Sequence, residues 1–156
     1  MPPLVEGMAD FRPLALPRLR ELAAEPISTI SGLHARFALL PDEPHRITEL
    51  LDYARTCRAA ELALFTRLPI AATVEHAPAL WADLTDPRTT APKRLRIAAV
   101  LAAVAPTDPR WTALAPTLAD QLVRVTPLEA EAFVRAFTQS GFSARLISHQ
   151  LSLIHI

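Results

Sequence analysis

The chain has 156 residues, 51% of them hydrophobic, so it is long enough for about one folded domain and too apolar to be disordered. Its 16 basic and 16 acidic residues balance, which excludes a general electrostatic attraction to nucleic acid or to an anionic membrane. The single cysteine, Cys57, excludes an internal disulfide and fits a reducing compartment. We therefore expect a cytoplasmic protein that contacts neither nucleic acid nor membrane.

Apolar residues recur at helical spacing along the chain. In residues 95–104, for example, Ile97, Val100, Leu101 and Val104 share one face of a helix. No segment shows the sustained alternation of a β strand, and alanine and leucine, both strong helix formers, supply 28 and 24 residues. We therefore predict an all-α fold. The predicted helices, about nine, lie at residues 4–11, 14–24, 29–40, 44–55, 59–68, 74–85, 92–104, 110–124 and 128–138.

Two further helices, predicted at residues 29–40 and 74–85, also have apolar stripes that we expect to be buried. The stripe residues are Ile30, Leu33, Phe37 and Leu40 in one helix and Val74, Trp81 and Leu84 in the other. Ser28 and Thr29 precede the first stripe as candidate N-caps. In the helix at residues 110–124, Pro116 predicts a kink or a split.

The 15 prolines mark many helix starts and stops. Two proline pairs, in residues 41–44 and 106–109, lie 65 residues apart, and each pair ends one apolar helix before the next begins. A weaker match between residues 15–19 and 77–81 gives a shift of about 62. A period near 62–65 residues fits a unit of two helical hairpins, so we predict HEAT-like stacked hairpins, that is, a segment of an α-solenoid.

We predict no catalytic, cofactor-binding or metal site in this chain. Gly7, Gly32 and Gly141 are far apart, so no glycine-rich phosphate loop is present. The dipeptides at 10–11 and 45–46 resemble fragments of kinase motifs but lack the residues that follow there. No two of the histidines, His34, His45, His76, His149 and His155, have the i, i+4 spacing of a helical zinc site.

Other residues with reactive or recognition chemistry have simpler interpretations. Cys57 is a nucleophile only if a base is near it in space, and we favour a small buried residue. A basic cluster, Arg88, Lys93, Arg94 and Arg96, is either an anion-binding patch or, as we favour, a solvated helix face. Trp81 and Trp111 occupy stripe positions, which favours packing between hairpins over a ligand platform.

A family resemblance rests on four segments of the sequence. They are residues 79–84 (ALWADL), 94–102 (RLRIAAVLA), 108–111 (DPRW) and 119–123 (ADQLV). The sequence over residues 3–138 resembles the helical-repeat region of large bacterial multi-domain proteins. In that family such helices accompany a serine/threonine protein kinase domain, a formylglycine-generating-enzyme-like domain, or both. The resemblance implies that the catalytic residues of the parent protein lie outside this chain.

The end of the chain differs from the rest. Residues 139–156 fit the family pattern poorly, and the last six residues, 151–156 (LSLIHI), resemble a translated sequencing adapter. We expect residues 1–138 to be a helical-repeat segment cut from a longer protein, and residues 151–156 to be a sequencing scar.

Two functions follow as expectations. The first is a non-catalytic scaffold or spacer that contacts a protein partner or neighbouring domains of the same chain. The alternative is a fragment of a kinase-linked multi-domain enzyme whose catalytic domain lies outside this chain. Neither function implies a cofactor here.

Overall fold

The computed structural model describes residues 11–140, and over that range the protein is all-α. Helices make up 73% of these residues, and no strand occurs among them. The predicted all-α class is therefore confirmed. The helix predicted at residues 4–11 and the atypical tail from residue 141 lie outside the described residues.

Most helix bounds lie within about two residues of the predicted segments. The exceptions are the segment 59–68, which is a 3₁₀ turn and a short helix that ends at residue 65, and residues 70–73, which form a helix that the sequence pattern does not predict. In chain order the helices are α1 (Arg12–Ala23), α2 (Ile30–Leu39), α3 (Arg46–Ala54), α4 (Leu62–Phe65), α5 (Ile70–Thr73), α6 (Ala77–Thr85), α7 (Ala91–Val104), α8 (Trp111–Arg124) and α9 (Pro127–Gln139). A 3₁₀ turn, Ala59–Glu61, precedes α4, and a second one, Val74–His76, joins α5 to α6 without a break. With α5 and α6 taken as one segment, residues 11–140 contain eight helices rather than about nine.

Helix starts are set by local chemistry. The Thr29 hydroxyl accepts a hydrogen bond from the Gly32 N–H at 3.0 Å, so this predicted N-cap is confirmed. Thr126 and Glu129 form a capping box at the start of α9, in which each side chain accepts a hydrogen bond from the other residue's backbone N–H. Prolines occupy the first turn of α1, α6, α7 and α9, where the missing N–H costs nothing.

Pro116 does not split its helix. The helix α8 continues from Trp111 to Arg124 with Pro116 inside it. Because proline has no N–H, the Thr112 carbonyl, one turn earlier, receives no hydrogen bond from Pro116. Both residues lie on the exposed side of α8. Water can therefore solvate that carbonyl, which lowers the cost of the proline.

The described residues divide between two compact units, and the division falls between Tyr53 and Ala54. In the first unit, α1 packs on α2. The core of this pair contains Ala23, Ala35 and Leu39, against which Leu16, Leu19 and Leu22 pack. The predicted stripe of α2 is wrong at its start, because Ile30 lies in the first turn and is 70% exposed.

Gly32 allows the chain before α2 to approach that helix closely. A Cβ atom at this position would lie 2.6 Å from the Pro26 carbonyl oxygen, a backbone atom that cannot easily move. The close approach also brings the buried Arg36 guanidinium to the carbonyls of Glu25 and Gly32, at 2.9 and 3.0 Å. The Arg36 Nε donates to the Glu49 carboxylate at 2.8 Å and so ties α2 to α3.

In the second unit, α7 is the central helix. Half of its 14 residues are buried, including Leu95, Ile97 and Leu101, and it contacts α4, α5, α6, α8 and α9. The last helix, α9, packs on α4 and α7 as well as on its neighbour α8. Contacts in this unit therefore extend beyond adjacent helices, and α9 returns to the 3₁₀ turn Ala59–Glu61.

The tryptophans confirm one predicted feature of this core, and a valine corrects another. Trp81 and Trp111 are both buried, with ring centroids 4.7 Å apart and ring planes tilted by 56°. They are packing residues, as we expected. Val74 is 51% exposed, because the 3₁₀ turn that contains it is out of phase with the buried face of α6.

Candidate functional site

The second unit contains a groove between the 3₁₀ turn with α4 on one side and the first half of α9 on the other. Its volume is about 470 Å³. Its apolar wall consists of small or exposed residues, namely Ala59, Ala60, Ala63, Leu128 and Ala132. Three arginines and two glutamates line the remainder, namely Arg58, Arg96, Arg135, Glu129 and Glu131. We call this surface the Arg96 groove.

Arg96 differs from the other two arginines of the groove. It extends from α7, is partly buried, and donates from Nε to the Cys57 carbonyl at 2.6 Å. Its guanidinium carbon lies 6.0 Å from the centroid of the Phe133 ring, within the range of a cation–π contact. No carboxylate among residues 11–140 pairs with Arg96, so its charge is held in place but not neutralised there.

The remaining charges of the groove are paired locally. Arg58 pairs with Glu61 at 2.7 Å, and Arg135 pairs with Glu131, also at 2.7 Å. Glu129 serves the capping box of α9. Leu128, on the edge of the groove, is 79% exposed and is the most exposed large hydrophobic residue of the described range.

Cys57 is not an activated nucleophile. Its side chain is buried, and its thiol lies 3.4 Å from the Ala54 carbonyl oxygen. Burial raises the pKa of the Cys57 thiol to about 12, with a smaller rise from Glu61, while nearby Arg96 acts in the opposite direction. Almost no thiolate therefore exists at neutral pH, and the predicted role as a small buried residue is confirmed.

The predicted basic cluster does not form one solvated face. The Arg94 guanidinium donates to the carbonyls of Leu84 and Asp86, at 3.1 and 3.0 Å, and so caps the end of α6. Arg88 pairs with Asp86, and Arg96 points into the groove described above. The side chains separate because α7 begins at Ala91 and directs these positions to different sides.

The histidines are not brought together. His34 and His45 are exposed, and His76 lies in a 3₁₀ turn. His149 and His155 lie outside the described residues. Within residues 11–140 no group of three or more histidine, cysteine, aspartate or glutamate side chains is arranged to hold a metal ion. Over the same range no helix is long and apolar enough to span a membrane.

The groove could not be predicted from the sequence. The alanines at 59, 60 and 63 and the alanine at 132 were visible as small residues, but nothing in their spacing places them opposite each other. Arg96 was singled out only as a member of the basic cluster.

No family model, curated protein or solved structure matches the chain.

Proposed function

We propose that this chain is a non-catalytic scaffold or spacer that holds a protein partner, or a neighbouring domain of the same polypeptide, against the Arg96 groove. The observation that carries the proposal is the combination of an alanine-lined groove of about 470 Å³ with the 79% exposed Leu128 at its edge. The short alanine side chains leave room for larger side chains of a partner, and Leu128 offers apolar surface that such a partner would cover.

The contacts of the thiol and of Arg94 in the second unit support the non-catalytic part of the proposal. The only thiol is protonated and buried, and Arg94 binds backbone carbonyls at a helix end. These groups stabilise helix ends and loops. They do not converge on a point where a substrate could react.

The finer architecture that we propose is a HEAT-like stack of helical hairpins. Successive packing of α6 on α7 and of α7 on α8 supports it. The additional packing of α9 on α4 would then close one side of the stack. In the multi-domain setting that the sequence resemblance implies, the neighbouring domain would be a serine/threonine kinase or a formylglycine-generating-enzyme-like domain, in the cytoplasm.

A site-specific photo-crosslink tests the proposal. A photoreactive amino acid at position 128, in cells that express the full chain, is expected to give one discrete adduct with a protein or a domain. Position 123 is a matched control, because Val123 is 70% exposed but belongs to α8 and does not line the groove. The absence of an adduct at 128, or the same adducts at both positions, would contradict the proposal, as would substrate turnover by the purified chain.

A further inference from the structure

We infer that the Arg96 groove binds a partner segment through an acidic side chain, which pairs with Arg96 while the adjoining apolar residues of the partner cover Leu128 and the alanines. The inference rests on the proposed function and specifies the chemistry of the partner. It depends on the arrangement of charge in the groove.

The Arg96 guanidinium is positioned in advance. One edge is fixed by the hydrogen bond from Nε to the Cys57 carbonyl at 2.6 Å, and the group lies near the Phe133 ring. Phe133 is itself fully buried. An arginine held in this way loses little side-chain entropy when its terminal nitrogens bind a planar carboxylate with two parallel hydrogen bonds.

Arg96 is the arginine of the groove that makes no ion pair with a described carboxylate, and Glu129 is the lining glutamate that a capping box holds instead of an arginine. Arg58 and Arg135 are matched by Glu61 and Glu131. Arg96 has no carboxylate partner within the described range, and it is partly buried beside apolar surface. A carboxylate that bound there would form a charge-assisted pair with a guanidinium that is already partly removed from water.

The apolar side of the groove favours a protein segment as the source of the carboxylate. Ala59, Ala63 and Ala132 have short side chains, which leave room for larger side chains of a partner. Leu128 adds a large and 79% exposed apolar side chain to the same lining. Arginine is one of the residue types enriched at interface hot spots, which favours Arg96 as the centre of the contact.

Selection of random peptides displayed on phage, with the full chain as bait, tests the inference. We expect enriched peptides to share an aspartate or glutamate beside apolar residues. Replacing that acid by its amide in a synthetic peptide should weaken binding about tenfold or more, since the amide loses the charge-assisted hydrogen bonds that a carboxylate forms with a guanidinium. This arm of the test requires no change in the protein.

Protein variants locate the contact. Arg96→Gln should reproduce the tenfold loss, and Arg96→Lys, which keeps the charge, should lose less. Arg67→Gln is the matched control, because Arg67 is exposed and does not line the groove. Circular dichroism melting of each variant separates a loss of binding from a loss of folding.

The possible failures are distinguishable. Two results would overturn the inference but leave the scaffold proposal in place. Both require peptides whose binding is lost on Leu128→Asp. In the first result these peptides contain no acidic residue, and in the second their binding is unchanged by Arg96→Gln. No enriched peptide, or only peptides that bind Leu128→Asp unchanged, would contradict both. A dimer of the chain that Leu128→Asp dissociates would identify a second copy as the occupant and overturn the inference.

Discussion

Two loops of the second unit contain the same tripeptide, Asp-Pro-Arg, at residues 86–88 and 108–110. In the first loop, the Asp86 carboxylate accepts from the Arg88 backbone N–H at 2.8 Å and from its guanidinium at 3.1 and 3.0 Å. In the second loop, the Asp108 carboxylate accepts from the Arg110 N–H at 2.9 Å and from its guanidinium at 2.9 and 2.7 Å. The two loops therefore build the same turn from the same residues.

The similarity extends one residue beyond the tripeptide. The Thr89 hydroxyl donates to the Asp83 carbonyl at 2.7 Å, and the Trp111 indole N–H donates to the Ala105 carbonyl, also at 2.7 Å. Each bond reaches back six residues and closes the loop before the next helix. The same backbone position thus accommodates a small hydroxyl in one loop and the largest side chain in the other.

The surroundings of the two arginines differ. The Arg88 side chain is 89% exposed, whereas the Arg110 guanidinium lies 4.1 Å from the centroid of the Trp81 ring. Trp81 in turn packs on Trp111. The comparison shows that a turn is specified locally, while its contribution to stability depends on which core residue it presents. Four predictions test that difference, from the largest effect to the smallest.

Trp111→Ala should lower the free energy of unfolding by about 3–5 kcal/mol, because it removes a buried ring and leaves a cavity beside Trp81. Chemical denaturation followed by circular dichroism measures the change. Trp111→Phe is the comparison variant, since it keeps one aromatic ring in the core but removes the indole donor and part of the buried volume, and a smaller loss is expected. If Trp111→Ala lowered the free energy of unfolding by less than about 1 kcal/mol, which is the contribution of one hydrogen bond, the two loops would not differ in what they contribute to stability.

Thr89→Val should lower the free energy of unfolding by about 1 kcal/mol, because it keeps the shape of the side chain but leaves the Asp83 carbonyl without this donor. The same denaturation experiment applies. Thr90→Val provides the control, since Thr90 is exposed and its side chain makes no cap hydrogen bond. Equal effects of the two variants would show that the loop-closing hydrogen bond contributes nothing.

Arg110→Ala should lower the melting temperature more than Arg88→Ala. Both variants remove the ion pair to an aspartate, but only Arg110 also covers the Trp81 ring. Differential scanning calorimetry at one pH compares them directly. If Arg88→Ala were equally destabilising, the cation–π contact would have no measurable role.

The smallest expected effect is the pH dependence of the stability that the Asp-Pro-Arg turns contribute. Hydrogen bonds from the Arg110 side chain and backbone lower the pKa of Asp108 from 3.8 to about 2. Because the folded pKa lies below the unfolded value, the stabilisation is fully present above about pH 4 and is lost as the pH falls towards 2.

Carboxyl-carbon NMR titration measures this pKa directly. Arg110→Gln should raise the pKa of Asp108 towards 3.8 and leave that of Asp86, which Arg88 lowers in the same way, unchanged. A pKa of Asp108 that Arg110→Gln does not move would assign the shift to another cause.

The sequence predicted the helices well where their signals are local. The N-cap at Thr29 and the prolines at helix starts were read from neighbouring residues, and the structure confirms the cap. The buried faces were less certain. Ile30 and Val74 matched a helical stripe but are exposed, because spacing tells which residues share a face and not how far a packing partner extends over it.

The sequence alone determined the all-α class, the positions of the turns and the burial of Trp81 and Trp111, since helical spacing, proline and bulky apolar side chains act over a few residues. Only the tertiary structure decided that Arg96 and Leu128 line the same groove, because α9 must return to α4 before residues 60 and 132 can face each other there. Contacts between residues so far apart depend on the path of the whole chain, and local preferences do not encode that path.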